Sequence, residues 1–312
     1  GHPRPSLTYT YPNTDEGFNS TAGRYAAGDG WAHAPLPDTV LRRVNYTVSP
    51  DGVIDFRKNG WHAVYIGNLS REEAQLGCQT LTLYTTQGLG IDSERVLTAL
   101  RKAASRYEPG QRHQAVTVVI SPWNMTTNSG FALGDYSVVS ATTKPERQLT
   151  TTVVHEYVHT RQVNDYTDGM EWMVEAVAAY YGPRLQYDAG VMSTPKYGNL
   201  LSQRASRAEW GGPFSTQTNS NHYTRGAVTL SALDAAVRNT TDGEKTLQDV
   251  LLRLEERPRP VLTQRDLEAS IANVTNGSLT GWVDRHVDNG TAVDAATPGS
   301  RMQDRWPRSP CA

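Results

Sequence analysis

Two histidines four residues apart lie in an apolar segment near the middle of the chain, and their spacing constrains the local fold. The segment, residues 153–159, reads VVHEYVH, with histidines at His155 and His159. Side chains four residues apart project from the same face of an α-helix, about one turn from each other. Two imidazoles in this arrangement can bind one Zn²⁺ at about 2.0–2.1 Å each. The segment therefore predicts a helix that presents two ligands to a metal ion.

A carboxylate lies between the two histidines, because Glu156 directly follows the first one. It can reach a metal-bound water and not the metal itself, so it can act as a general base while Zn²⁺ lowers the pKa of that water towards about 7. The alternative is an ordinary surface helix that contains two histidines by chance. Three further features of the sequence favour the metal site.

The first feature is a second helical segment, residues 171–181, which is apolar at helical spacing yet carries Glu175 in its interior. A buried carboxylate needs a partner. The segment resembles the gluzincin peptidases, the thermolysin-like and M1 aminopeptidase-like group. In the M1 group this helix reads Trp-Leu-Asn-Glu-Gly-Phe-Ala-x-Tyr, and Trp172, Glu175 and Tyr180 match it in place. The resemblance implies that Glu175 is the third ligand of one zinc ion per chain.

The sequence also offers a rival third ligand, Asp165, six residues after His159. Small zincins of the His-Glu-x-x-His-x-x-Gly-x-x-His/Asp type place their third ligand at this position. Their geometry needs a glycine three residues after the second histidine, where the chain turns with positive φ. Gln162 occupies that position here. Glu175 is therefore favoured, and Asp165 stays open as the alternative.

The second feature is the segment from His222 to Ala227, which reads HYTRGA. It resembles the Tyr-x-Lys-Gly-Ala signature of M1-type enzymes, with Arg225 in place of the usual lysine. The resemblance implies that the hydroxyl of Tyr223 steadies the oxyanion of the tetrahedral intermediate. His222 is a candidate second oxyanion donor, and an ordinary surface histidine is the alternative.

The third feature is the stretch 130–139, which precedes the zinc helix where gluzincins place a substrate-binding edge strand. By this resemblance, Gly134, Asp135 and Tyr136 are candidate substrate contacts, because an exposed edge can pair with the backbone of an extended peptide. The Gly-Ala-Met-Glu-Asn exopeptidase motif of M1 enzymes is absent from the sequence. Its absence leaves endopeptidase action open.

The distribution of strand and helix patterns along the chain predicts an α+β fold. Residues 1–40 indicate an irregular N-terminal extension, residues 41–145 a mixed sheet with one helix, and residues 146–312 a helical subdomain. By resemblance, these parts form one thermolysin-like zincin catalytic domain, with the zinc cleft between the sheet subdomain and the helical subdomain. The leading function is hydrolysis of a peptide or protein substrate. A surface binding or scaffold protein without turnover is the alternative.

Charge and composition narrow the partners and the compartment. The 30 basic and 32 acidic side chains give a net charge of -2 without a long run of one sign, which disfavours binding to nucleic acid or to an anionic membrane. No transmembrane segment is predicted, and the sequence does not indicate an oligomeric state. Eight Asn-x-Ser/Thr sites and two cysteines favour a secreted or cell-surface protein, in which Cys78 and Cys311 can form a disulfide; two unpaired thiols are the alternative. The asparagines are Asn19, Asn45, Asn68, Asn124, Asn239, Asn273, Asn276 and Asn289.

Overall fold

The fold was analysed in a computed structural model that describes residues 26–28, 31–35, 53–58, 61–122, 129–141, 146–162, 164–167, 169–256 and 261–294. The first described strands form a four-stranded antiparallel sheet with the order β1-β2-β4-β3. They are Ala26–Gly28 (β1), Trp31–Pro35 (β2), Val53–Lys58 (β3) and Trp61–Gly67 (β4). Two strands therefore lie inside the segment 1–40 that was expected to be irregular, and for these residues the expectation is wrong.

A five-stranded mixed sheet follows, with the order β5-β6-β7-β9-β8. Strands β6, β7 and β9 are parallel, whereas the two outer strands are antiparallel to their neighbours. Strands β7 and β9 are almost entirely buried, as expected for apolar strands covered on both faces. The strands are Leu69–Leu76 (β5), Gln79–Thr86 (β6), Ala115–Ser121 (β7), Gly130–Leu133 (β8) and Tyr136–Ser140 (β9).

Helices dominate the chain after β9. The helix Ser93–Ala104 (α1) connects β6 to β7, and its first turn is capped by Asp92, which accepts a hydrogen bond from the Arg95 N–H at 3.0 Å. The later helices are Glu146–His159 (α2), Trp172–Asp188 (α3), Thr194–Arg207 (α4), Ala227–Thr240 (α5), Leu247–Glu255 (α6) and Gln264–Val274 (α7). A π-helical segment, His222–Gly226, leads directly into α5. The mixed sheet and the helices confirm the expected α+β class.

Two helical features differ from the sequence expectation. Helix α3 was expected to end near Tyr181, but it continues through Pro183 to Asp188. Proline lacks the N–H that would bond the carbonyl four residues earlier, which normally ends or kinks a helix. Here the freed carbonyl of Ala179 accepts a hydrogen bond from Arg204 at 2.5 Å. Arg204 belongs to α4, a helix that the sequence pattern did not predict.

The segments that fall outside the described residues leave some expectations untested. Cys311 lies there, so the disulfide between Cys78 and Cys311 stays a prediction. The boundaries at residues 40 and 145 also stay predictions. In the described part of the chain, no helix has the length and apolar character that a bilayer crossing requires.

A buried arginine fixes the end of α2, two residues beyond His159. The Arg161 side chain is fully buried and donates hydrogen bonds to the carbonyls of Tyr107 (3.2 Å), Glu108 (2.8 Å), Gly110 (3.3 Å) and Gln111 (2.8 Å). Gly110 has φ +83°, and a Cβ there would lie 2.0 Å from the Arg161 carbonyl oxygen. The loop after α1 therefore holds the helix that carries the two histidines.

We expect Arg161→Met to lower the free energy of unfolding by about 3 kcal/mol or more, because it leaves several buried carbonyls without donors. Denaturant titration of the zinc-free protein measures this loss. Arg101→Met is the control, since Arg101 makes an exposed ion pair with Glu94 and its loss should cost less than about 1 kcal/mol. Equal effects of the two substitutions would contradict the role given to Arg161.

Candidate active site

Three side-chain atoms from two helices converge at the mouth of a cleft. The His155 Nε2 and His159 Nε2 atoms are 3.1 Å apart, and the Glu175 Oε2 atom lies 3.2 Å from His159 Nε2 and 3.5 Å from His155 Nε2. A tetrahedral ion with bonds of about 2.0–2.1 Å separates its ligand atoms by about 3.3–3.4 Å. The three atoms therefore fit three corners of a zinc site. A fourth position would remain for water or substrate.

The close approach of α2 and α3 brings these ligands together. Gly182 of α3 faces the zinc helix, and a Cβ there would lie 3.3 Å from the Cβ of His155 and 3.3 Å from the Thr151 carbonyl oxygen. Even an alanine there would require its neighbours on α2 to shift slightly. Glu175, in the first turn of α3, can thus lie opposite both histidines.

Gln162 determines which nitrogen of His159 is free to bind a metal. Its Nε2 donates to the Val174 carbonyl at 2.9 Å, so its Oε1 is the atom that faces His159 Nδ1 at 2.7 Å. The oxygen can only accept, and Nδ1 must therefore carry the proton. In neutral His159 the Nε2 lone pair then points at Glu175 and His155. The sequence analysis used Gln162 only because it is not a glycine, and it did not predict the contact of Gln162 with His159.

The electrostatics of the three ligands favour a cation between them. Burial lowers the pKa of His155 to about 4, so this imidazole is neutral at neutral pH and its Nε2 can carry a lone pair. Burial alone would raise the pKa of Glu175 and lower that of His159, but the contact between them holds the pKa of Glu175 below its usual range and raises the pKa of His159, so without a metal a proton lies between the two side chains. An ionised carboxylate and lone pairs that face one another are the environment that a divalent metal stabilises.

Asp165, the rival third ligand, lies elsewhere. It is exposed in the short strand Asp165–Tyr166 (β10), which pairs with Val261–Leu262 (β11). It does not belong to the cluster of potential ligand atoms that His155, His159 and Glu175 form. His155, His159 and Glu175 therefore lie together, as the gluzincin resemblance implies, whereas Asp165 lies apart from them.

Glu156 is buried between the zinc helix and strand β8. Only 3% of its surface is exposed, and a Cβ added to Gly130 would lie 2.6 Å from its Oε1 atom. A larger residue at the start of β8, where the strand backbone passes against the carboxylate, would have to displace the Glu156 side chain. Gly130 is thus a site residue, and the sequence offered one signal for it, a glycine at the start of an expected edge strand.

The tyrosine that the M1 signature singled out lies beside the ligands. The ring of Tyr223 stacks on His155 with a centroid distance of 5.7 Å and an interplanar angle of 18°. Burial and the nearby Glu175 carboxylate, with which the phenol forms a hydrogen bond, raise the pKa of Tyr223. The phenol therefore stays protonated and can donate a hydrogen bond.

His222, the candidate second oxyanion donor, has a different environment. Its ring lies 6.3 Å from the ring of Phe214, and it is not among the described residues that line the cleft. Burial lowers its pKa. An oxyanion role for His222 stays a prediction.

An aromatic stack supports the segment that carries Tyr223. Trp172 at the start of α3 stacks on Phe214 at 4.2 Å, and the guanidinium of Arg225 lies 3.9 Å from the centroid of the Phe214 ring. Arg225 also donates to the carbonyls of His286 and Val287 at 3.1 and 3.2 Å. Trp172 and Arg225, which the sequence marked only by resemblance, thus connect the helix of Glu175 to the segment of Tyr223.

The cleft has a volume of about 860 Å³ and runs from the ligands to helix α4. Ser129 and Gly130 line it on the side of the sheet. Gly134 and Asp135 form the turn at the opposite end of β8, and Tyr136 is buried in β9. Gly134, Asp135 and Tyr136 are not among the described residues that line the cleft, and their role as substrate contacts stays a prediction.

Comparison with known proteins addresses the fold. No protein-family model and no curated protein matches the chain. The M1 zinc metallopeptidase from Deinococcus radiodurans matches with a TM-score of 0.55 and 17% identity over 79% of this chain and 61% of that protein. Aminopeptidase A from Legionella pneumophila, solved in complex with aspartic acid, matches with a TM-score of 0.58 and 13% identity over 85% of this chain and 38% of that protein.

The chain has the fold of the M1 zinc metallopeptidases. It spans less than two thirds of the length of either protein. The matched structures are M1 enzymes, so the M1-like part of the fold expectation is confirmed. The thermolysin-like description and the arrangement of two subdomains around the cleft stay predictions.

We expect Gln162→Leu to weaken zinc binding about 10–100-fold, because the substitution removes the acceptor that orients His159 in this M1-type fold. Competition with a chromophoric chelator measures the dissociation constant. Glu175→Ala should lose zinc under the same conditions, whereas Asp165→Ala, which changes an exposed residue outside the cluster, should bind it as the unmodified protein does. Zinc retained by Glu175→Ala and lost by Asp165→Ala would reverse the ligand assignment.

Proposed function

We propose that this protein is a zinc-dependent peptidase that hydrolyses peptide bonds with His155, His159 and Glu175 as ligands of one zinc ion. The observation that carries the proposal is the tetrahedral spacing of the three ligand atoms beside a cleft that His155 and Glu156 line. A structural zinc site would close its fourth position with a protein group. The described part of the chain supplies three ligands, which is the pattern of a catalytic site.

Glu156 is the proposed general base. When bound, zinc supplies a Lewis acid that polarises the scissile carbonyl and acidifies water. The Glu156 carboxylate lies next to the first ligand and at the edge of the cleft, where it can accept the proton of the attacking water and pass it to the leaving amine. Its burial against Gly130 fixes the position of the carboxylate, so little reorganisation is needed during the reaction.

Tyr223 is the proposed oxyanion donor. Its ring is held by the stack on His155, and its protonated hydroxyl lies close enough to Glu175 to form a hydrogen bond. A donor fixed beside the ligands can stabilise the negative charge that develops on the carbonyl oxygen after water attacks. The π-helical segment that contains Tyr223 is a feature that often occurs at functional sites.

Strand β8 is the proposed binding edge for the peptide backbone. It is the last strand of the five-stranded sheet, and its first residue lies against Glu156. An extended peptide that pairs with this edge would pass directly over the ligands. The Deinococcus enzyme has been solved with a Tyr-Ser-Ala substrate, which supports a peptide as the substrate class here. We also propose that the protein is secreted and glycosylated and that Cys78 and Cys311 form a disulfide.

We expect Glu156→Gln to keep one zinc per chain and to lose nearly all peptide hydrolysis, because an amide cannot accept the proton of water. Elemental analysis and turnover of a broad peptide library measure the two properties. Full activity of this variant would remove Glu156 as the base. If the unmodified, zinc-loaded protein cleaves no peptide at all, the scaffold function replaces the peptidase proposal.

We expect Tyr223→Phe to lower kcat about 10²–10³-fold while KM changes little, because the hydroxyl acts on charge that exists only after water has attacked. Steady-state kinetics on a peptide that the unmodified protein cleaves separates the two constants. Zinc content should not change, since phenylalanine preserves the stack on His155. A loss of less than about threefold, equivalent to about 0.7 kcal/mol, would exclude Tyr223 as the donor.

A further inference from the structure

Helix α4 forms the wall of the cleft opposite the sheet, and the face that it turns to the cleft is basic. Lys196, Leu200 and Arg204 are spaced four residues apart along α4, and all three line the cleft. The only acidic residue among the described lining residues is Glu156, at the metal end. The α4 side of the cleft therefore carries two positive side chains and no carboxylate among the described lining residues.

Arg204 is held in this wall by the backbone of the neighbouring helix. Its Nη1 donates to the carbonyl of Ala179, which has no helical partner because Pro183 lacks an N–H. The arginine is thus anchored to α3, the same helix that carries the ligand Glu175. Its guanidinium has five N–H groups in a planar fork, so groups other than the one on Ala179 can serve a ligand.

The charge of Arg204 is not balanced by the protein. Its side chain is mostly buried, and within the described chain no carboxylate lies at ion-pair distance from it. Burial without an acidic partner lowers the pKa of Arg204 to about 10, and only the nearby Tyr197 offsets this effect. A buried cation costs free energy unless an anion accompanies it. An anion from outside the chain is the partner that this geometry can accept.

We propose that Arg204 and Lys196 form a subsite for a carboxylate of the peptide substrate, so that the enzyme selects peptides with a negative charge at one position beside the scissile bond. The inference rests on the proposed peptidase function. A guanidinium binds a carboxylate through two parallel hydrogen bonds, and Lys196 adds a second charge at the rim of the same wall. The carboxylate can come from an acidic side chain or from a free C-terminus.

A positional scan of internally quenched peptides tests the subsite. Peptides of one sequence carry either Glu or Gln at each of five positions around the cleavage point, and kcat/KM is measured for each pair. At one position Glu should exceed Gln by about tenfold or more, the scale of a charge-assisted hydrogen bond. A second arm compares short peptides that end in a free acid with the matching C-terminal amides. The arm that shows the preference identifies the source of the carboxylate.

Three variants on the same helix connect the preference to the two residues. Arg204→Gln removes the charge but keeps a donor for the Ala179 carbonyl, and Lys196→Gln removes the second charge. The Glu-to-Gln ratio should fall towards one in Arg204→Gln and partway in Lys196→Gln. Arg207→Gln is the matched control, because Arg207 is exposed on α4 and does not line the cleft, so the ratio should not change. Zinc content and circular dichroism verify that each variant is folded.

Binding measurements separate this inference from the peptidase proposal. The zinc-loaded Glu156→Gln protein is titrated with the same Glu and Gln peptides by calorimetry. Tighter binding of the Glu peptide, lost in the double variant with Arg204→Gln, supports the subsite even if the unmodified protein shows no turnover. Equal binding and equal kcat/KM for the Glu and Gln peptides, together with equal values for free acids and amides, would overturn the subsite. Hydrolysis of both peptides at the same rate would leave the peptidase proposal intact.

Discussion

The packing of helix α2 against helix α3 is the contact on which the candidate site depends. At Gly182 the absence of a side chain lets the second helix approach the backbone of His155. A second close contact joins α3 to the Tyr223 segment, because Gly226 faces Ala176 and a Cβ there would lie 2.6 Å from the Ala176 Cβ. Two glycines therefore determine how near the ligands, the base and the proposed oxyanion donor lie to one another.

The candidate site is also constrained by the electrostatics of its side chains. The site places two imidazoles and a carboxylate together in a partly buried position, and Gln162 turns a lone pair of His159 towards the other two groups. A cation stabilises this arrangement: despite burial, the contact with Glu175 raises the pKa of His159, so a proton holds the place of a metal ion in the metal-free protein. The Arg161 contacts and the Trp172–Phe214–Arg225 stack lie on either side of the site and hold its elements in place.

A contact between helices α3 and α4 shapes another part of the cleft wall. Pro183 frees a carbonyl within α3, and Arg204 from α4 satisfies it, which places a guanidinium in the cleft wall. Neither the continuation of α3 through Pro183 nor the position of Arg204 can be predicted from its own segment of the sequence. A proline within an apolar pattern predicts a helix end, but α3 continues because the hydrogen bond from Arg204 replaces the missing helical one. Helix α4 buries only Tyr197 and Leu201, four residues apart, and the sequence analysis did not predict it.

The sequence by itself determined the helix with His155, Glu156 and His159, the carboxylate of Glu175 in the next helix and the tyrosine before Arg225 and Gly226. These features depend on residue type and helical spacing, which are local properties. The tertiary structure alone placed Asp165 away from the ligands, brought Gly130 against Glu156, and gave Gln162 and Arg204 their partners. The reason is physical: these outcomes depend on contacts between segments distant in sequence, and no local period encodes such contacts.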